Sequence, residues 1–283
     1  MLKDLRNNYH KALCSKIIRI RKSKNFYYPN FADVSSDTSK NVAWKIVEAF
    51  DCDLNYEKLV GQTAGTLFEI ETRQYIKEAF NAINHLRPGD WNYRVNSVIS
   101  LYDQYKHLEH LEQIIKDNRT LASTLGSGYI VQPDIVVTRK PIEDNEINKR
   151  KIVIKKTDNI ASLTPLRNIN NEGIELLHAS ISCKFTIRSD RSQNTRTEAL
   201  NLIRNRKGKL PHIVAVTGEP LPTRISTLAL GTGDLDCVYH IALYELKQAL
   251  KELDNEDQLD MINMMIDSRR LRDISDLPFD LAI

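Results

Sequence analysis

Four ionisable residues in this chain of 283 residues have the types and spacing for phosphodiester hydrolysis. Asp134 stands inside an apolar run at 129–138. Lys184 follows fifty residues later in an alternating run at 180–185, and Glu198 comes fourteen residues after that. Glu69, far upstream, is the fourth candidate. Carboxylates are hard oxygen donors suited to Mg²⁺. A metal held by them lowers the pKa of water and polarises a phosphoryl oxygen. A lysine alongside can stabilise the developing charge or orient the attacking water. Each residue also has an ordinary reading. Asp134 can be a satisfied structural aspartate, and Lys184 a solvent-facing lysine whose stem lies on a sheet. Glu198 can be a surface partner of Arg196 or Arg204. Glu69 can be a carboxylate favoured by the free amides of a helix start.

The segment after Lys184 adds a binding function to the catalytic one. Between Lys184 and Lys209 there are eight lysines and arginines against two acids, a local +6, whereas the whole chain is only +3. Positive charge is therefore focused, as expected for a nucleic-acid footprint. Arginine can pair bidentately with guanine, and an acid can accept from cytosine. Arg188-Ser189-Asp190-Arg191 supplies both donor and acceptor types, which suits a G/C-rich site. A DNA-binding protein without nuclease activity would use the same arginines and is the alternative reading.

These residues need a scaffold that brings distant stretches together. In the run 180–185, Ile181, Cys183 and Phe185 point one way while Ser180, Ser182 and Lys184 point the other, the period of a strand. An arginine-rich turn and an amphipathic helix follow, with Ala199, Leu202 and Ile203 as its buried side. Further strands are expected at 129–138, 151–154, 212–217 and 237–239. In the first of these, Pro133 marks an edge, a bulge or a strand start. Gly61–Gly65 reads as a flexible turn. A helix follows over 66–86, striped by Leu67, Ile70, Tyr75, Ile76, Phe80 and Ile83 and stopped by Arg87-Pro88-Gly89. Other helices are expected around 42–50, 101–125 (interrupted near Asp117-Asn118), 241–253 and 256–267, with an irregular excursion at 156–175. The alternation of strand and helix from residue 129 onward implies an α/β fold, a central mixed β-sheet flanked by helices. One domain over 1–283 is expected, with room for a helical subdomain within 42–125.

Composition narrows the class. No apolar run approaches eighteen residues, so no transmembrane span is expected. The basic N-terminus lacks the apolar core of a secretory signal. Cys14, Cys52, Cys183 and Cys237 show no CxxC spacing, which gives a zinc site little support. All four are expected to be reduced in a cytosolic protein.

At Ser182-Cys183-Lys184 followed by Thr186–Arg191, the sequence resembles the NgoMIV-type type II restriction endonucleases. These belong to the PD-(D/E)XK superfamily, which places an acid on one strand and a lysine on the next. The usual second acid, two residues before the lysine, is Ser182 here. Its place is taken by Glu198 on the helix, a displacement typical of the subgroup that reads a central CCGG. The resemblance covers nearly the whole chain, including Val60–Thr63, Leu86–Asn92, Gln132–Arg139, Leu177–Arg191 and Arg272–Pro278. It implies a restriction-endonuclease-like fold and Mg²⁺-dependent hydrolysis of double-stranded DNA within GCCGGC. Cleavage would be staggered after the first G, leaving 5′-phosphates and a four-base 5′ overhang.

The resemblance also assigns roles. Asp134, the Cys183 backbone carbonyl and Glu198 would be metal ligands for about two Mg²⁺ ions per site. Lys184 would be the catalytic lysine, and Glu69 a neighbouring carboxylate. Arg188, Asp190 and Arg191, with Ser189 between them, would read the inner CCGG. Asp33 and Arg224 would read the outer G·C pair, with Asp37 as the competitor to Asp33. Gln62 would approach the minor groove. The implied partners are double-stranded DNA, three further copies of the chain in a homotetramer of two dimers holding two duplexes, and a protective DNA methyltransferase. The implied location is the bacterial cytoplasm.

Overall fold

A computed structural model describes residues 1–23, 26–117, 120, 130–231 and 233–283, without the side chains of Lys116 and residues 189–192. Its centre is a six-stranded sheet in the order β3-β4-β5-β6-β7-β8. The strands are β3 (Trp91–Val95), β4 (Ile135–Arg139), β5 (Leu176–Lys184), β6 (His212–Thr217), β7 (Cys237–His240) and β8 (Leu271–Asp273). The first two pairings are antiparallel and the remaining three parallel. The sheet is therefore mixed, as the alternation of elements implies. A separate antiparallel hairpin joins β1 (Ile20–Ser23) to β2 (Phe26–Pro29).

The central strand β5 explains why its alternation is hard to read. Seven consecutive residues, Leu177 to Cys183, are buried. Parallel pairing on one side places helices on both faces, so even Ser180 and Ser182 lie under cover. On one face lies α3 (Gly61–Ala82), which packs against β3 and β5 and is backed by α1 (Leu2–Lys16). Phe185 packs there, its ring tilted, against Phe68 of α3 at 5.1 Å and against Phe31 at 5.5 Å. On the other face lies α5 (Ser189–Asn205), labelled after α2 (Asp37–Ala49) and α4 (His107–Lys116). Ala199 and Leu202 are buried as expected, whereas Ile203 is only partly so. Helices α6 (Pro222–Ala229), α7 (Leu243–Glu252), α8 (Glu256–Asp267) and α9 (Leu277–Leu281) close the parallel side.

Several expectations are corrected. Gly61–Gly65 is the first turn of α3 and not a flexible turn: Ala64 extends the buried stripe of Phe68, Thr72, Tyr75 and Ile76 by one turn. Glu69 consequently lies two turns inside the helix, and the free amides of the helix start do not explain it. Residues 151–154 form no strand. The side chain of Asn148 satisfies that backbone instead, accepting from the amides of Val153 and Ile154 and donating to the Ile154 carbonyl. The run at 129–138 becomes a strand only from Ile135, immediately after Pro133 and Asp134, and Tyr129 lies outside the described residues. The helical region expected over 101–125 is α4 as far as Lys116, and most of its continuation also lies outside the described residues. Trp91 belongs to a strand, β3, that periodicity did not announce. Cys14 and Cys52 are disulfide-bonded and not reduced. The ends of α1 and α2 converge there, with the two Cα atoms 5.3 Å apart. Cys183 and Cys237 are free and buried.

Candidate active site

The register of the sheet places Asp134 and Lys184 together. Ile135 opens β4 opposite Ile181 of the antiparallel β5, so the residue before β4 faces the last turn of pleat in β5. Asp134 Oδ2 accepts from the Cys183 amide at 2.6 Å and from Lys184 Nζ at 2.8 Å. Ser182 Oγ lies 3.4 Å from the same oxygen and 3.2 Å from Thr195 Oγ1 of α5. Ser182 thus occupies the position of the usual second acid and tethers α5 to the sheet. Glu198 is one helical turn beyond Thr195, which brings it onto the face that looks toward Lys184. From the opposite face, Glu69 of α3 reaches the same charges.

The electrostatics record this convergence. Burial raises the Glu198 pKa above the ordinary glutamate value; Lys184 opposes the shift and the Asp134 charge adds to it. Glu69 is likewise raised by burial and then by Asp134, against a 3.3 Å hydrogen bond from Asn96 Nδ2. Burial works against the Lys184 charge, but Asp134 and Glu198 outweigh it and its pKa is raised. Three carboxylates share one ammonium, a deficit of positive charge. A divalent cation with hard-oxygen preference fits such a donor set. Among the described residues, no group of three or more His, Cys, Asp or Glu side chains is gathered tightly enough to hold a metal by itself. Lys184 Nζ, not a third carboxylate, is the closest charged neighbour of Asp134.

The candidate reading residues lie beyond the same end of β5. Arg188 is exposed and precedes α5 in extended conformation. The backbone of residues 189–191 forms the first turn of α5, while the side chains of Ser189, Asp190 and Arg191 lie outside the described residues. Arg224 on α6 pairs with Asp33, which also accepts from the amide and hydroxyl of Ser35 at 2.9 and 2.7 Å. The Ser35 hydroxyl and amide, with Arg224, hold the Asp33 carboxyl below its ordinary range. Asp33, Arg188 and Arg224 line one open cavity of about 610 Å³. Asp37 lies instead in the exposed first turn of α2, paired with Lys40 at 2.6 Å. Gln62 is exposed in the first turn of α3.

Three further residues enter the site that sequence reasoning missed. Asn96 adopts a left-handed backbone (φ 51°), a conformation that asparagine tolerates. It donates its side chain to Glu69 and its amide to the Asp134 carbonyl at 3.1 Å. Arg21 of the hairpin lines the reading cavity. Glu219 is fully buried and accepts from the amide of Ile187, which lines that cavity. No local pattern marks any of the three; their importance comes from long-range pairing.

With this geometry in view, the comparisons with known proteins are consistent. A family profile described as NgoMIV restriction enzyme matches residues 9–283. The Type II restriction enzyme NgoMIV of Neisseria gonorrhoeae is 51% identical over 257 residues, covering 89% of each chain. The crystal structure of the Type IIF restriction endonuclease Bse634I with cognate DNA covers 86% of this chain and 98% of its own at 14% identity, with a TM-score of 0.38. A second Bse634I structure gives a TM-score of 0.32 at the same identity, covering 91% and 98%. The mixed sheet flanked by helices is that of a type II restriction endonuclease. The chain belongs to the NgoMIV restriction enzyme family. The enzyme class displaces the binding-only alternative: the activity is sequence-specific, Mg²⁺-dependent DNA cleavage. Membership carries with it the use of a divalent metal and action on DNA. Among the described residues, no helix is long and apolar enough to cross a membrane.

Proposed function

We propose that the chain cleaves double-stranded DNA within GCCGGC, leaving 5′-phosphate ends with a four-base 5′ overhang. The observation that carries the reading is the junction at the end of β5. There Asp134 grips the Cys183 amide and Lys184 Nζ, immediately before the segment that carries Arg188. Asp134, the Cys183 carbonyl and Glu198 would hold Mg²⁺, with Glu69 as a neighbouring carboxylate, and two ions per site are proposed. Bound Mg²⁺ would lower the pKa of water and polarise the phosphoryl oxygen. Lys184, kept protonated by Asp134 and Glu198, would face the scissile phosphate and stabilise its developing negative charge. Asp134 positions that ammonium directly. Ser182, bonded to Thr195, keeps α5 and hence Glu198 at a fixed distance from the sheet.

Arg188, Ser189, Asp190 and Arg191 would read the inner CCGG. Arg224 and Asp33 would read the outer pair, and Gln62 would approach from the minor groove. The pairing of Asp33 with Arg224, and of Asp37 with Lys40, supports Asp33 over its competitor. A homotetramer of two dimers on two duplexes, a cognate methyltransferase protecting host sites and a bacterial cytoplasmic location complete the proposal. The test is incubation of the purified protein and Mg²⁺ with a plasmid that contains GCCGGC sites. Discrete fragments with ends mapping after the first G are expected. Random fragments, or cuts at a different CCGG-containing sequence, contradict the stated specificity.

A further inference from the structure

Glu219 is a buried acid with no part in the chemistry described above, and its contacts are unusually distributed. Its side chain is fully buried. Oε2 accepts from the Ile187 amide at 2.8 Å, immediately before Arg188. Oε1 accepts from the Leu221 amide at 3.2 Å, the residue that caps α6 and so sets the start of the helix bearing Arg224. Arg224 Nη1 itself lies 4.0 Å from Oε2 while Nη2 pairs with Asp33. The main chain of Glu219 reaches a third direction. Its amide donates to Thr217 Oγ1 at 3.1 Å, and that hydroxyl donates to the Lys184 carbonyl at 2.7 Å. One residue therefore ties the segment proposed to read the inner bases, the helix proposed to read the outer pair, and the end of the catalytic strand. The preceding residue is closely packed. A Cβ at Gly218 would meet Ile241 at 2.9 Å and Phe185 at 3.0 Å, and its amide donates to the Phe185 carbonyl at 3.2 Å, so the chain enters Glu219 through a close-packed, bonded residue.

We propose that Glu219 is a specificity-determining positioning residue, whose carboxylate locks the Arg188 segment and the Arg224 helix to each other so that inner and outer base pairs are read as one unit. The inference rests on the proposed reading roles of Arg188 and Arg224. An acid is suited to the task because a single carboxylate can accept in two directions at once, and a buried polar anchor left half-satisfied is costly. Loss of the anchor would let each reading element relax separately, whereas Asp134, Lys184 and Glu198 keep their own contacts.

The environment provides a readout that a merely structural residue would lack. Burial pushes the Glu219 carboxyl up to about 7, against the Ile187 amide, Arg224 and the Leu221 amide, with Asp33 adding to the rise. The other ionisable neighbours do not change charge near neutrality. Asp33 is held below its ordinary range, Arg224 is a guanidinium, and His240, which meets the Glu219 carbonyl, is driven down by burial to about 4. Between pH 6 and 8, Glu219 is the group in this cluster that titrates.

The test compares single-turnover cleavage of a GCCGGC duplex with cleavage of duplexes altered at one outer or one inner base pair, at pH 6, 7 and 8. Taking the ratio cancels pH effects on the shared chemistry. For the parent enzyme, discrimination should rise at least threefold from pH 6 to 8 for both positions. Glu219→Gln should lower discrimination at pH 8 at least tenfold at both positions and flatten its pH dependence. A parent whose discrimination is constant over this range overturns the inference even if the variant fails to fold. So does a folded Glu219→Gln that discriminates like the parent. Arg224→Ala is the control on the underlying reading. If it leaves outer-pair discrimination unchanged, the assigned role of Arg224 fails; if it reduces discrimination while Glu219→Gln does not, only the role of Glu219 fails.

Discussion

The two ends of the functional surface solve opposite electrostatic problems. At the proposed catalytic end, three carboxylates surround one lysine, and burial, reinforced by the Asp134 charge, raises two of them, Glu69 and Glu198. At the proposed reading end, the acids already have fixed partners within the protein. Asp33 holds Arg224 and is itself held by Ser35, and both oxygens of Glu219 accept backbone amides. An end short of positive charge suits a cation that arrives with the reaction. An end whose partners are fixed in advance suits recognition, where preorganisation limits the ordering cost of binding. The same strand, β5, and the residues immediately after it connect the two, so the proposed reading and cutting residues are neighbours in the chain but distinct in their physics.

That contrast can be broken at several points. The largest effect should come from Lys184→Ala. Removing the charge that faces the phosphate should slow single-turnover cleavage on the order of 10²–10³-fold, with cognate-duplex affinity much less affected; a loss shared equally by binding would place Lys184 on the reading side. Arg224→Ala should instead cost about 1–3 kcal/mol of discrimination at the outer base pair. Asp33→Ala should follow it and Asp37→Ala should not, as measured by cleavage of outer-pair variants. A strong effect of Asp37→Ala would reverse the assignment.

The smallest effect concerns the scaffold at the opposite end of β5 from both. Glu175 accepts from Arg94, Asn92 and Thr138, and those contacts, led by Arg94, hold its carboxyl down at about 2 against an ordinary value of 4.5. A depressed carboxyl contributes stability that is present above pH 4.5 and lost as pH falls toward 2. Glu175→Gln should lower stability by on the order of 1–2 kcal/mol near neutrality, with the difference fading in acid. Denaturant titrations at pH 7 and pH 3 measure both quantities, and a constant difference across that range would contradict the assignment.

Legibility in the sequence followed the range of the interaction. Asp134, Lys184 and Glu198 stand out as candidates in the sequence because residue type and position on alternating elements are local properties, and the structure brings them near one another. The mixed sheet was legible from the succession of strands and helices after residue 129. For Glu69 only the helix-start explanation fails: α3 begins five residues earlier than expected, since Gly61 and Gly65 resemble a turn although Ala64 continues the buried stripe. The disulfide was missed because the approach of Cys14 to Cys52 depends on how α1 and α2 end, which spacing does not encode. Asn96 and Glu219 were invisible for the same reason. An asparagine after a strand and a glutamate before a proline are ordinary residues until pairing across the fold gives them partners.

The most direct measurement takes Glu198, the acid displaced from the catalytic strand to α5, and separates its contribution to cutting from any contribution to reading. Equilibrium binding of Glu198→Gln to a GCCGGC duplex, with Ca²⁺ in place of Mg²⁺, is set beside its single-turnover cleavage rate with Mg²⁺. Cleavage should fall at least about 10²-fold, while affinity and discrimination against a single altered base pair stay within about threefold, or roughly 0.7 kcal/mol, of the parent. A variant that still cuts at the parental rate, or that loses cognate binding in step with cleavage, would contradict the placement of Glu198 at the metal and the division of the surface into a cutting end and a reading end.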